Sequence, residues 1–214
     1  MADVASGEGA GEARAKESDA GGLDNLASAA RGASHQAGAT RVFPPVHLWN
    51  PPFCGDIGMK IARDGTWFYQ GSPIGRMPMV KLFASILRKD PDRHVLVTPV
   101  EMVLVEVEDA PFLAVAMRRE DGADGPQLVF RTNLDDETRA GPAFPIRFER
   151  SAADGMKPYV LVRGDLWALV TRPLFLDLVE LGEIRDIDGV RMFGVESGGA
   201  FFPMAPANEI EDLA

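Results

Sequence analysis

A single cysteine, Cys54, stands among 214 residues. One thiol cannot close an internal disulfide, so the chain is expected to work in a reducing compartment, with the cytoplasm as the default. Free cysteine is among the most buried residue types, and Cys54 is expected to be a small core residue. Histidine is also scarce. His35, His47 and His94 are scattered, and no second ligand stands at metal-site spacing from His47. No apolar run approaches the roughly 20 residues needed to cross a bilayer. The N-terminus carries acids where a secretory leader needs bases, and it has no apolar core. Positive charge is in deficit too. The net charge of −10 and pI near 4.8 argue against a nucleic-acid coat and against adhesion to anionic membrane. The signatures of the common catalytic machines are missing as well: no Gly-x-Ser-x-Gly elbow, no His-Glu-x-x-His and no Cys-x-x-Cys.

What is present centres on the stretch from Gly55 to Leu87. Asp64-Gly65 lies between the apolar runs Met59–Arg63 and Thr66–Tyr69, which predicts a hairpin because glycine takes a positive φ without steric cost. Gly71–Arg76 then breaks the strand. Pro78 fits the first turn of a helix, and Met79, Leu82, Phe83, Ile86 and Leu87 follow at helical spacing.

Before this centre, residues 1–41 read as a disordered tail. Ala and Gly fill 12 and 7 of the first 40 positions, and no aromatic residue occurs there. Such a stretch buries too little apolar surface to offset its ordering entropy, and a short helix around Leu23 to Ala30 would be marginal alone. The proline-rich arm from Val42 to Phe53 is expected to be pinned to the body by Phe43, Trp49 and Phe53. After the centre, alternation marks strands at His94–Thr98, Val103–Val107 and Leu113–Met117, the last two read as a hairpin about Glu108–Pro111. Further strands are expected at Leu128–Thr132 and Phe144–Phe148, where Pro145 indicates a sheet edge. Tyr159–Arg163 and Leu166–Val170 form a hairpin about Gly164-Asp165. Pro173 opens a second helix that ends at Gly182, and Asp188-Gly189 precedes a strand over Val190–Val195. Ser197–Pro203 reads as a loop, and Asn208–Ala214 as a frayed end.

An internal repeat runs through this order. Arg63, Trp67 and Pro73 recur as Arg163, Trp167 and Pro173, all at an offset of 100, and Ile74 matches Leu174. Each copy reads strand, tight turn, strand with Trp, Pro, apolar helix. The fold expected is therefore α+β with mostly antiparallel strands, built from two related units, each a hairpin or sheet with one helix. The boundaries are 1–41 for the tail, 42–98 for the N-terminal unit and 99–214 for the C-terminal unit. Ligand sites favour the junction of such units.

The runs Cys54–Ile57, Ile61–Tyr69 and Gly71–Arg76, with Leu96–Glu101, Phe130–Asn133 and Ser197–Phe202, resemble a mainly proteobacterial family of unknown function. The resemblance spans about residues 42 to 204. It implies duplicated domains, a C-terminal half like a pleckstrin-homology fold, a nucleotide-like ligand at the domain interface and a role in signal transduction. It implies no catalytic residues.

From the residues themselves, the strongest candidate site is basic. Between Ile57 and Val95 seven bases face three acids within an acidic chain. Gly71–Gly75 leads into a helix N-terminus, whose free N–H groups favour anions. Arg63, Arg76 and Arg163 are the expected anion contacts, with Gly75 beside Arg76, and Trp67 and Tyr69 shaping the space. The loop lacks the Gly-Lys-Ser/Thr ending of a Walker nest. The function expected is a non-enzymatic binding protein for an anionic, nucleotide-like small molecule, with no cofactor named. The alternatives are a protein–protein interaction module and an enzyme with a dispersed site.

Overall fold

The computed structural model describes residues 23–32, 43–151 and 155–211. Its strands form two six-stranded sheets and one three-stranded sheet. The first sheet takes β1 (Phe53–Ile61), β2 (Trp67–Tyr69), β3 (Ser72–Pro73), β4 (Leu87–Asp90), β5 (Arg93–Val97) and β6 (Met102–Val107), in the order β3-β2-β1-β6-β5-β4. The second takes β7 (Phe112–Gly122), β8 (Gly125–Thr132), β9 (Glu137–Arg139), β10 (Ile146–Ser151), β11 (Gly155–Arg163) and β12 (Leu166–Val170), in the order β10-β11-β12-β7-β8-β9. The third is the meander β13 (Glu183–Ile187), β14 (Val190–Ser197) and β15 (Ala200–Pro206). Pairing is antiparallel except at β1–β6 and β12–β7, one parallel pair in each large sheet.

The Asp64-Gly65 turn forms as a three-residue loop. Ala62 N–H donates to Thr66 O at 2.9 Å, Gly65 N–H donates to Ala62 O at 2.9 Å, and Gly65 takes φ 81°. The repeat survives as register. Ile61 pairs with Trp67 and Met59 with Tyr69, while Leu161 pairs with Trp167 and Tyr159 with Leu169. Both hairpins thus keep the offset of 100 as far as Trp67 and Trp167, and differ only at the turn, where a register shift pairs Arg163 with Leu166. Each is followed by a nine-residue helix with Pro in its first turn, α2 (Met77–Ser85) and α3 (Arg172–Glu180).

Several expectations are corrected. Val103–Val107 and Leu113–Met117 do not form a hairpin. β6 has β1 and β5 on its two edges, and β7 has β12 and β8, so residues 108–111 cross from one sheet to the other. β6, expected in the C-terminal unit, belongs to the first sheet. α2 stops at Ser85, and Leu87 already opens β4. The supposed loop after Ser197 is a hairpin: Gly198 and Gly199 take φ 57° and 74°, and Ser197 pairs with Ala200. Cys54 is exposed, because it lies near the start of β1, before that strand reaches the core at Met59. Pro145 does precede an edge strand, β10.

Of the expected tail, 1–22 and 33–41 lie outside the described residues, as do 212–214 at the other end. Residues 23–32, however, form a helix, α1, and its Leu26, Ala27 and Ala30 belong to the same main core as Trp67, Phe83 and Phe112. Too short to hold alone, it is held by that packing. Asn208 to Glu211 belongs to a last helix, α4 (Ala207–Glu211), where a frayed end was expected. The proline arm is fastened at its carbonyls: Arg88 donates to Val46 O at 2.9 Å and Trp49 O at 2.7 Å. Among the described residues no helix is long and apolar enough to cross a membrane.

Candidate interdomain binding site

The three arginines expected to converge do not. Arg76 is the exposed N-cap of α2, with Gly75 exposed before it. Arg163 sits at the other end of the same helix, where its Nη2 donates to Ala84 O at 2.6 Å. The eight residue steps from Arg76 to Ala84 separate them by about 12 Å along the axis. Arg163 is further committed to the Phe43 ring at 4.2 Å, the Phe112 ring at 5.1 Å and Asp136 at 4.0 Å. It is the last residue of β11 and reaches onto α2, so it serves as a bolt between domains. Trp67 is 1% exposed inside the core. Tyr69 is half-buried, within 3.4 Å of the Gln70 amide. Arg63 lies 3.8 Å from Asp109, and Asp109 leads to the cavity between the domains.

That cavity, of about 600 Å³, is walled by Lys89, Asp90, Pro91 and His94 on one side and by Arg147, Tyr159, Asp165 and Trp167 on the other. The crossing Asp109-Ala110-Pro111 forms its floor. Each wall follows from local structure. The β4–β5 hairpin pairs Lys89 with His94 and Asp90 with Arg93, so its tip presents these side chains. Gly164 and Asp165, at φ 47° and 60°, make a two-residue turn that sets Asp165 at the rim and starts β12. Arg147 pairs across strands with Tyr159, and Trp167 sits diagonally on the same face. The Arg147 guanidinium lies 4.0 Å from the Trp167 ring and 5.1 Å from that of Tyr159, a flat cationic surface. Glu149 holds Arg147 Nε at 3.0 Å, which leaves the stacked fork in place.

The electrostatics are more favourable to an anion than the raw charges indicate. Asp90 is taken by Arg88, with Nε to Oδ1 at 2.7 Å and Nη2 to Oδ2 at 3.3 Å. Asp109, its side chain 7% exposed, accepts from Lys157 Nζ at 2.8 Å and Tyr159 OH at 2.7 Å. Two of the three lining carboxylates are thereby compensated; Lys89 supplies positive charge, and Arg147, with Glu149 on its Nε, presents the rest of its guanidinium. Burial, then the hydrogen bond to the Asp109 carboxylate, raises the Tyr159 hydroxyl, which keeps its proton. Burial first, then the nearby Lys89 charge, brings His94 down to about 4. It is a neutral imidazole at physiological pH, one ring nitrogen donating and the other accepting.

The His94 shift has a direct consequence. The unfolded chain binds a proton at His94 near pH 6.5, whereas the folded one does so only near 4. Stability from this residue is therefore present above pH 6.5 and is lost as pH falls through 6.5 toward 4. Urea melts across that window should show a falling midpoint, with a shallower slope in His94→Gln. Equal slopes would contradict the assignment.

A ligand site was expected at the junction of the halves, and a cavity lies there, but most of its lining was not among the expected residues. Lys89, Asp90, His94, Asp109, Arg147, Tyr159 and Asp165 come from separate elements with no shared spacing. The available signal was the repeat itself. Trp67 is in the core while its counterpart Trp167 is half-buried, so one copy of the hairpin offers its Trp at a surface.

Residues 44–110 match the family model described as domain of unknown function (DUF1285), N-terminal domain, and residues 111–204 match the C-terminal domain of protein of unknown function (DUF1285). The two models meet at Ala110 and Pro111, on the cavity floor. The crystal structure of a DUF1285 family protein from Silicibacter pomeroyi DSS-3 is 48% identical, with a TM-score of 0.76 over 87% of this chain and 97% of that one. A DUF1285 family protein from Shewanella baltica OS155 is 29% identical, covering 57% of this chain and 91% of that one, with a TM-score of 0.46. No curated protein matches the chain.

Proposed function

We propose that this chain, which belongs to the DUF1285 family, is a non-enzymatic binding protein for an anionic, nucleotide-like small molecule held between its two domains. The observation that carries the reading is the Arg147–Trp167 stack in a cavity shared by both domains. A planar base gains from stacking beside an indole and a guanidinium. Arg147 and Lys89 meet phosphate or carboxylate charge, and neutral His94 offers one donor and one acceptor. The volume falls within the roughly 300–1,000 Å³ of small-molecule sites. A ligand that touches both domains and the crossing between them ties occupancy to domain arrangement, which is the physical basis for a role in signal transduction. The reading places the protein in the cytoplasm, where such metabolites are abundant.

A thermal-shift panel of nucleotides and related anions tests this. A ligand at a hundred times its dissociation constant stabilises by about 2.7 kcal/mol, or roughly 5–10 °C for a chain of this size. The shift should vanish in Arg147→Ala and Trp167→Ala and persist in Arg76→Ala, since Arg76 lies outside the cavity. A panel with no shift, or one abolished by Arg76→Ala alone, would count against the reading.

A further inference from the structure

We propose that the open edge of β13 is a self-association surface at which two copies of this chain pair antiparallel about a two-fold axis through Ile184. Among the described residues β13 ends its sheet, with β14 on one side and no strand on the other. Large apolar side chains cluster there unusually: Leu181, Ile184, Ile187 and Val190 are all exposed. An exposed apolar edge strand is a template for another strand.

The occupant follows from register. Ile187 pairs with Val190 across the two-residue turn Asp188-Gly189, whose φ values are 53° and 82°. In such a turn the flanking pair is hydrogen-bonded, and pairs alternate along an antiparallel ladder. Ile187, Arg185 and Glu183 therefore bond inward to β14, and the N–H and C=O groups of Ile184 and Asp186 point outward. A second β13 must meet these outward groups with its own. With Ile184 opposite Ile184, Glu183 faces Arg185 twice, so the ion pairs that Arg185 makes with Glu183 and Glu196 of its own chain are continued across the axis by opposite charges. The neighbouring registers fail: one sets Arg185 against Arg185, the other Glu183 against Glu183. Opposite charges across strands stabilise and like charges destabilise. The strand Glu183–Ile187 is thus complementary to itself in one register, and a two-fold contact of this kind closes as a dimer.

Light scattering and sedimentation of the full chain over a micromolar dilution series test the proposal. A mass twice that of the chain is expected at high concentration. Ile184→Pro removes the outward donor without touching the ladder to β14 and should give a folded monomer by circular dichroism. Arg185→Glu should also dissociate the pair, and the exchanged double variant Glu183→Arg/Arg185→Glu should restore it. A monomer at every concentration, or a dimer indifferent to these changes, would overturn the proposal. So would amides of Ile184 and Asp186 protected from hydrogen exchange in a monomeric protein, since another segment of the same chain would then cover the edge.

Discussion

Replacing Asp109 by alanine should lower stability by about 3 kcal/mol and abolish ligand stabilisation together. The carboxylate is 7% exposed and collects three groups: Lys157, Tyr159 and Arg63. Two of them lie on β11 and one on the β1–β2 turn, so a single side chain in the crossing links both domains. Removing it leaves the Lys157 ammonium, 17% exposed, without that anion, and leaves the Tyr159 hydroxyl without its acceptor. A buried charge deprived of its partner costs more than the pair contributed. For a chain of this size the loss corresponds to roughly 6–12 °C in melting temperature. Asp109→Asn keeps an acceptor for Tyr159 and should fall between the two. A melting temperature within about one degree of the parent would mean that the crossing is held by other contacts.

Arg163→Ala should be as costly to the fold, by about 3 kcal/mol, while leaving ligand affinity intact below the melting temperature. The guanidinium satisfies the Ala84 carbonyl in the last turn of α2, where helix carbonyls lack intrahelical donors. It also lies beside Asp136, 5% exposed, and over two aromatic rings. Arg163→Lys keeps a charge but not the planar fork, so it should recover only part of the loss. Arg147→Ala should do the reverse, since Arg147 is exposed and its partners are the cavity rings and the exposed Glu149. Melting curves and titrations of both variants check the dissociation of roles. Equal effects of the two on affinity would undo it.

The contrast between these arginines shows what was legible in the residues and what was not. Local signals carried well. Asp64-Gly65 marked a turn because Gly65 needs a positive φ, and the offset of 100 between Trp67 and Trp167 reappeared as register. Charge type carried poorly. Arg63, Arg76 and Arg163 look alike in sequence, yet one is an ion-pair partner, one an exposed helix cap and one an interdomain bolt. Their difference depends on which carbonyls and carboxylates come near, which is fixed by long-range pairing. The same holds for Val103–Val107 and Leu113–Met117. Their alternation reads as a hairpin because nothing local reveals that each strand already has two other neighbours. β13 escaped notice for a related reason: Glu183-Ile184-Arg185-Asp186-Ile187 is charged and exposed, and only its pairing with β14 makes it a strand. The short helix over residues 23–32 likewise depends on a core assembled from distant segments.

The most direct measurement is a crystal structure of the protein with the nucleotide that gives the largest thermal shift. Difference density is expected for a planar base beside Trp167 and Arg147, with its anionic group near Lys89. Density at the N-terminus of α2 beside Arg76, with the interdomain cavity holding only solvent, would contradict the interdomain site.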